Sequence, residues 1–346
     1  MDRAEVTRRS FLGALGTAGV VGLAGCAERR RLDPGEEIGP YFDRRTGREN
    51  GVRIPPGTYP WDGTGLDVRA TVAGRGSRGD VVLDLQSGSM DGVVRGTLRN
   101  IVVRGRNQES KAGLDLHPGG EIDGFCWPEG GGKNQDRAIY HPRAGARTTI
   151  RNACVAGMAN NGAYVDKAPV TVENSAFVNN NVANLRVGHA HGSDPGATSR
   201  VTNSLVAVTG DVRPTDEGST NPVGLRIRRP GAFVVENCWF VFTDGAPAAD
   251  GLVELKADEI TADFRNCHFH NDTATRLVTD GGSHNRVTLT GCTVSGRGRT
   301  TVAGESVSGS LTRNDVRVPL PSAITGFPQA DDAYGFDPLI APFGAS

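Results

Sequence analysis

The sequence predicts an all-β chain wound as a single parallel β-solenoid, and three observations predict it. A short phrase recurs along most of the 346 residues: an apolar residue, then two places later usually Asn, then three places on another apolar residue. Its Asn position is held by Asn100, Gly124, Asn152, Asn174, Asn203, Asn237, Asn266, Gly291 and Arg313, at spacings of 22 to 34 residues. Two columns are apolar in every copy: Leu98, Ile122, Ile150, Val172, Val201, Val235, Phe264, Leu289 and Leu311 before it, and Val103, Trp127, Val155, Phe177, Val206, Phe240, Phe269, Val294 and Val316 after it. Full apolar columns in a chain only 37% hydrophobic are what stacked coils need, since one coil cannot bury its own apolar face. The Asn position falls at a tight turn between two strands, because Asn and Gly tolerate the left-handed conformation. Stacked Asn amides can also hydrogen-bond from coil to coil.

Residues 1–26 read as a targeting segment, outside the fold. Arg8 and Arg9 in "TRRSFLG" form a twin-arginine phrase, a short apolar run follows, and "LAGC" ends at Cys26 in the manner of a lipoprotein processing box. Export of a folded chain and lipidation of Cys26 are expected, with the protein anchored on the outer face of the cytoplasmic membrane or extracellular. No later stretch is apolar enough to span a bilayer. Residues 27–50 read as a charged tether and N-terminal cap, residues 51–318 as the solenoid, and the Pro-rich residues 319–346 as a cap over the last strand edge.

The Asn column, the apolar columns and the opening "VRIPPGTYPW" from Val52 to Trp61 resemble the right-handed parallel β-helix of the pectate-lyase-like superfamily. The resemblance covers roughly residues 50 to 320 and implies a helix of about ten or eleven coils. It does not fix the activity, because one fold hosts many functions.

The third strand of each coil carries the chemistry. In "AGLDLH", "RAIYH", "GAYVDK", "ANLRVG", "VGLRIR" and "GLVELK", alternation sends Leu114, Leu116, Ala163, Val165, Leu185, Val187, Leu225, Ile227, Val253 and Leu255 inward. The other set, Asp115, His117, His141, Tyr164, Asp166, Arg186, Arg226, Arg228, Glu254 and Lys256, is expected to form one outward strip. The resemblance places a substrate cleft on this kind of sheet.

An acidic sugar suits the strip, since Arg holds a uronate carboxylate bidentately. Asp166, Arg186 and Arg226 are the candidate catalytic residues for a lyase-like β-elimination. His117, His141, Tyr164, Lys167, Arg228, Glu254 and Lys256 are candidate substrate contacts. Asp115, Asp166 and Asp194 are candidates for holding a Ca²⁺ that polarises the uronate. His189, His191 and Asp194 form an alternative metal-ligand spacing, and Asp211 and Asp216 sit on a long neighbouring loop. A polysaccharide or cell-surface glycan is the expected partner, and a monomer is expected.

Two alternatives stand beside this reading. One is a non-enzymatic carbohydrate-binding or structural surface protein, in which opposite charges of the strip merely pair with each other. The other is a glycoside hydrolase resembling polygalacturonases, on "GHAHG" (188–192) followed by "RIR" (226–228), although Ala190 interrupts the His element and no facing carboxylate pair is evident. The formal net charge of −1 argues against nucleic acid and against a charge-driven membrane partner. Cys238, Cys267 and Cys292 share the place just after the Asn and are expected to be small buried filler in a stacked row.

Overall fold

The computed structural model describes residues 32–45, 51–86, 90–106, 113–132, 137–189, 196–210, 212–302 and 307–313. The expected signal segment with Arg8, Arg9 and Cys26, the residues His191, Asp194 and Asp211, and the expected C-terminal cap lie outside them. The described residues from Pro34 onward belong to one compact unit. Among the described residues one short helix, α1 (Gly39–Arg45), precedes 27 strands, all in parallel pairings.

Each coil has three strands. The first coil runs β1 (Val52–Ile54), β2 (Gly57–Trp61) and β3 (Leu66–Val68). The strands that carry the repeat phrase join one 18-stranded sheet, while the third strand of each coil joins a nine-stranded sheet. Nine coils are complete among the described residues, followed by β26 (Arg286–Ser295) and β27 (Val307–Arg313). The third strands that matter below are β8 (Gly113–Leu116), β10 (Ile139–Tyr140), β13 (Ala163–Val165), β16 (Ala183–Val187), β19 (Val223–Ile227), β22 (Val253–Leu255) and β25 (Val278–Asp280).

The repeat columns are register columns. Leu98, Ile122, Ile150, Val172, Val201, Val235, Phe264 and Leu289 pair in unbroken succession. Trp127, Val155, Phe177, Val206, Phe240, Phe269 and Val294 do the same. Both rows are buried, and Phe240 stacks on Phe269 with ring centroids 5.1 Å apart.

Between the columns the backbone turns through the left-handed region, where a Cβ costs roughly 1–2 kcal/mol unless the residue is Gly or a short polar one. Asn100, Asn152, Asn174, Asn203, Asn237 and Asn266 have φ between 48° and 53°, and Gly124 and Gly291 have 75° and 64°. The coil-to-coil amide bond appears between Asn237 Nδ2 and Asn203 Oδ1 at 3.3 Å.

The last copy of the phrase is corrected by the structure. Leu311 pairs with Cys292 and Arg313 with Val294, while Leu289 pairs with Gly309, after a register shift between Leu289 and Cys292. Gly309, with φ 97°, is therefore level with the column expected to hold Leu311, and Arg313 lies inside strand β27. The physical cause is local: β27 is largely exposed, so no buried row pins its register.

The cysteines divide into two sets. Cys238, Cys267 and Cys292 are buried free thiols. Their Sγ atoms donate to the carbonyls of Val201, Val235 and Phe264 at 3.4, 3.4 and 3.5 Å, and burial pushes the Cys267 thiol upward in pKa. Cys126 and Cys154, in register on adjacent coils, are joined by a disulfide with Cα atoms 4.5 Å apart. They lie on the outer side of their strands, in an apolar cluster with Val102, Ala176, Leu205 and Val241.

The turn column is directly testable. Asn174→Gly is expected to leave stability almost unchanged, whereas Asn174→Val should cost on the order of 2 kcal/mol. Chemical denaturation of the two variants beside the parent chain measures both.

Candidate functional site

The outer face of the nine-stranded sheet carries one file of residues, set by register: Asp67, Val93, Asp115, Tyr140, Tyr164, Arg186, Arg226, Glu254 and Thr279. The inward set expected from alternation is buried in full. His141 is a correction. It follows β10 by one place, level with Leu116 and Val165, and is 0% exposed. Its Nε2 is hydrogen-bonded to Thr148 Oγ1 inside the coil, its Nδ1 has no partner, and it is no substrate contact. The two-residue strand β10 gave alternation too little length to assign its flank. Burial and the charge of Lys167 push the His141 pKa down to about 3.

The centre of the strip is a covered ionic network. Arg186 donates from Nε and Nη2 to Asp166 Oδ2 at 3.1 and 3.0 Å. Its Nη2 also meets the Tyr164 hydroxyl, and its guanidinium lies 3.6 Å above the Tyr164 ring centroid. Asp166 is 0% and Arg186 4% exposed, on a sheet face that alternation alone makes solvent-facing. Burial lowers the Arg186 pKa, opposed by Asp166. The second oxygen of Asp166, Oδ1, is buried without a hydrogen-bond partner.

Next along the file, Arg226 Nε is bonded to Glu254 Oε2, and Lys256 Nζ donates to Glu254 Oε1 at 2.8 Å. Arg226 and Glu254 are buried, while Arg228 and Lys256 are exposed. Arg226 is thus already engaged by a carboxylate of the chain. In the other direction Tyr140 packs edge-on against Tyr164, centroids 5.3 Å apart. Lys167 Nζ donates to the Tyr140 hydroxyl at 3.1 Å, and the Arg137 guanidinium lies 4.1 Å from the Tyr140 centroid. Each tyrosine thus has a cation at its hydroxyl and a guanidinium over its ring, the second contact favoured by the ring quadrupole.

Asp115 and His117 lie away from this centre. Two coils, about 9.6 Å of strand spacing, separate Asp115 from the row of Tyr164, and Asp166 lies two residues further along. Burial, with the charges of Arg95 and Arg143, lowers the His117 pKa. Among the described residues no group of three or more His, Cys, Asp or Glu is arranged to hold a metal. His189 is buried, with Nε2 bonded to Ser199 Oγ at 2.8 Å. Asp216 sits on an exposed turn.

Sequence reasoning missed Arg137, Arg229 and Asp250 as parts of the site. Arg229 Nε lies 3.9 Å from Asp166 Oδ2, and Asp250 Oδ2 lies 3.9 Å from Arg226. All three sit just outside the third strands, where alternation gives no direction. It also missed a polar run on the 18-stranded sheet: Thr293, His268, Ser295, His270 and Asp272 are hydrogen-bonded in that order at 2.7 to 3.1 Å. The alternation His268-x-His270-x-Asp272 is its only sequence signal.

No family model matches the chain, and no curated protein matches it. Among solved structures, the chain is similar to the tailspike protein gp49 from Acinetobacter baumannii bacteriophage Fri1, a capsular polysaccharide depolymerase, at 13% identity and a TM-score of 0.32. The match covers 82% of this chain and 61% of that one, so the chain spans less than two thirds of its neighbour. At that TM-score the likeness adds nothing to the strand register, on which the parallel β-helix stands.

Two outcomes follow from the geometry. Arg186→Ala strands Asp166 as a buried carboxylate and is expected to cost about 3–5 kcal/mol, whereas Arg186→Met combined with Asp166→Asn should recover much of the loss. Thermal unfolding of both variants checks this. The depressed His141 makes stability fall with acid: the unfolded chain takes up the proton near pH 6.5, the folded chain only near pH 3. Stability present above about pH 6.5 is therefore lost progressively as pH falls toward 3. A Tm-against-pH series in which His141→Gln flattens that limb is the expected result.

Proposed function

We propose that this protein engages an acidic polysaccharide along the outer face of the nine-stranded sheet and cleaves it by β-elimination at Tyr164. The observation that carries this reading is the Tyr164–Arg186–Asp166 group. A buried ion pair is a poor source of stability, because desolvation offsets its attraction. Buried charge on a sheet face, stacked on a half-exposed tyrosine, is therefore better accounted for by chemistry than by folding.

The chemistry runs as follows. The uronate carboxylate is neutralised by exposed guanidinium groups beside the strip, which acidifies the sugar C5–H. The Tyr164 oxygen, entering the step as the phenolate with the Arg186 guanidinium against it, takes the C5 proton. The C5–H electron pair forms the C4=C5 double bond, and the C4–O bond breaks. The Tyr140 hydroxyl, which accepts from Lys167 Nζ, delivers the proton to the leaving oxygen. Asp166 holds Arg186 in place, and Arg226 stays fixed by Glu254.

A second reading is favoured by a specific observation. Arg226, Glu254 and Lys256 satisfy one another, as expected of a face that binds a glycan without turning it over. In either case the Arg8-Arg9 phrase and Cys26 support a location outside the cytoplasm on a lipid anchor, and no helix among the described residues is long and apolar enough to cross a membrane.

The test is ultraviolet absorbance at the unsaturated-uronate band. Polygalacturonate, alginate and hyaluronate are each incubated with the chain. Rising absorbance that Tyr164→Phe lowers by about a hundredfold or more is the expected outcome. No absorbance change and no new reducing ends, with binding retained, would establish the non-catalytic reading instead.

A further inference from the structure

Gly188 stands one place beyond β16, level with Asp166 in the preceding coil and Arg228 in the following one. It leaves a gap in the outer row, and the Arg229 side chain fills it. A Cβ built on Gly188 would lie 2.7 and 2.8 Å from Arg229 Cγ and Cβ and 2.9 Å from Asp166 Cβ. The stem of Arg229 therefore crosses directly over the Gly188 backbone. Its Nε ends 3.9 Å from Asp166 Oδ2, beyond hydrogen-bond reach, and that oxygen already accepts two bonds from Arg186. The Arg229 side chain remains 46% exposed.

Asp166 is the second half of the arrangement. Its Oδ1 is buried and has no hydrogen-bond partner, although a buried carboxylate oxygen left unsatisfied costs more than almost any other polar group. The two features complement each other. A loosely tethered, half-exposed guanidinium stands beside an unsatisfied acceptor, on a rigid sheet, a few ångströms from Tyr164.

We infer that Arg229 and Asp166 form a uronate-reading subsite: Arg229 turns from Asp166 to hold the sugar carboxylate, and Asp166 Oδ1 accepts a hydroxyl of the same sugar. This rests on the proposed function, and it adds a specificity residue that pairing patterns on the strip do not reveal. Arg186 and Arg226 are already bound to carboxylates of the chain, so they have little to offer a ligand. Arg229 has a weak partner to leave and a solvent-exposed path to swing through. Gly188 is the seat that allows the packed position, and any side chain there displaces the guanidinium.

Affinity for polygalacturonate, alginate and hyaluronate oligomers is measured by calorimetry on the full chain, each as the free acid and as its methyl ester. Methyl esterification removes the charge and leaves the hydroxyls. The native chain is expected to prefer the acid form of at least one polymer, and Arg229→Gln to abolish that preference with a loss of about tenfold or more in acid-form affinity. Methyl-ester affinity should change little. Gly188→Ala keeps every charge and is expected to weaken the same preference, while Asp166→Asn should weaken acid and ester forms alike. Circular dichroism and Tm confirm that each variant is folded. An undiminished acid preference in folded Arg229→Gln overturns the subsite and leaves the proposed function standing. Absence of binding by the native chain overturns both.

Discussion

The parallel backbone ladder between successive coils sets everything else in this chain. Each strand is held by the strand one coil before and one coil after, at the fixed spacing of a parallel sheet. A residue's neighbours are therefore dictated by register. Leu98 meets Ile122, and Ile122 meets Ile150, whatever the length of the loop between them. The loops vary widely in length, but the columns do not move. The ladder also forces the turn: a chain that must change direction between two paired strands at the same level in every coil needs a left-handed residue there, and Asn or Gly supplies it in eight successive copies.

The same ladder builds the site. Tyr140, Tyr164, Arg186, Arg226 and Glu254 come from sequence positions more than a hundred apart, yet they are consecutive in space. A side chain on such a file has two close neighbours of fixed identity, so charge is distributed by pairing along it. Arg186 reaches back to Asp166, and Arg226 reaches forward to Glu254. The two guanidinium groups point their bonding away from each other, which separates like charges on adjacent strands and leaves a boundary between the two networks.

The columns, the turn and the third-strand inward set were legible in the sequence because each depends on a two-state property, apolar or not, left-handed or not, repeated many times. The fate of the outward set was not. Alternation assigns a side, and it said correctly that Asp166, Arg186, Arg226 and Glu254 face away from the core row. It could not say that they would be buried there, since that depends on long-range cover and pairing. His141 failed for the opposite reason: a third strand of only two residues gives no run from which to extrapolate. Arg229 was invisible because its importance comes from a missing side chain at Gly188, and a gap leaves no mark in a pattern of residue types. The last copy of the repeat shows the limit of the columns themselves, since Gly309 and Leu289 align only once backbone pairing is known.

The disulfide carries a consequence for the tyrosine pair. Cys126 belongs to the coil that supplies Tyr140, and Cys154 to the coil that supplies Tyr164. The bond lies on a different side of the solenoid from the two rings, yet it clamps the two turns that present them. Its closed loop spans a sequence separation of 28 residues, a length for which a cross-link removes roughly 3–4 kcal/mol of unfolded-chain entropy. Reduction would thus leave the tyrosines where they are and make their coils easier to pry apart. The surroundings in which the protein is oxidised set the stiffness of the face that carries the tyrosines, and a thiol-rich compartment would present the same residues on a softer spring.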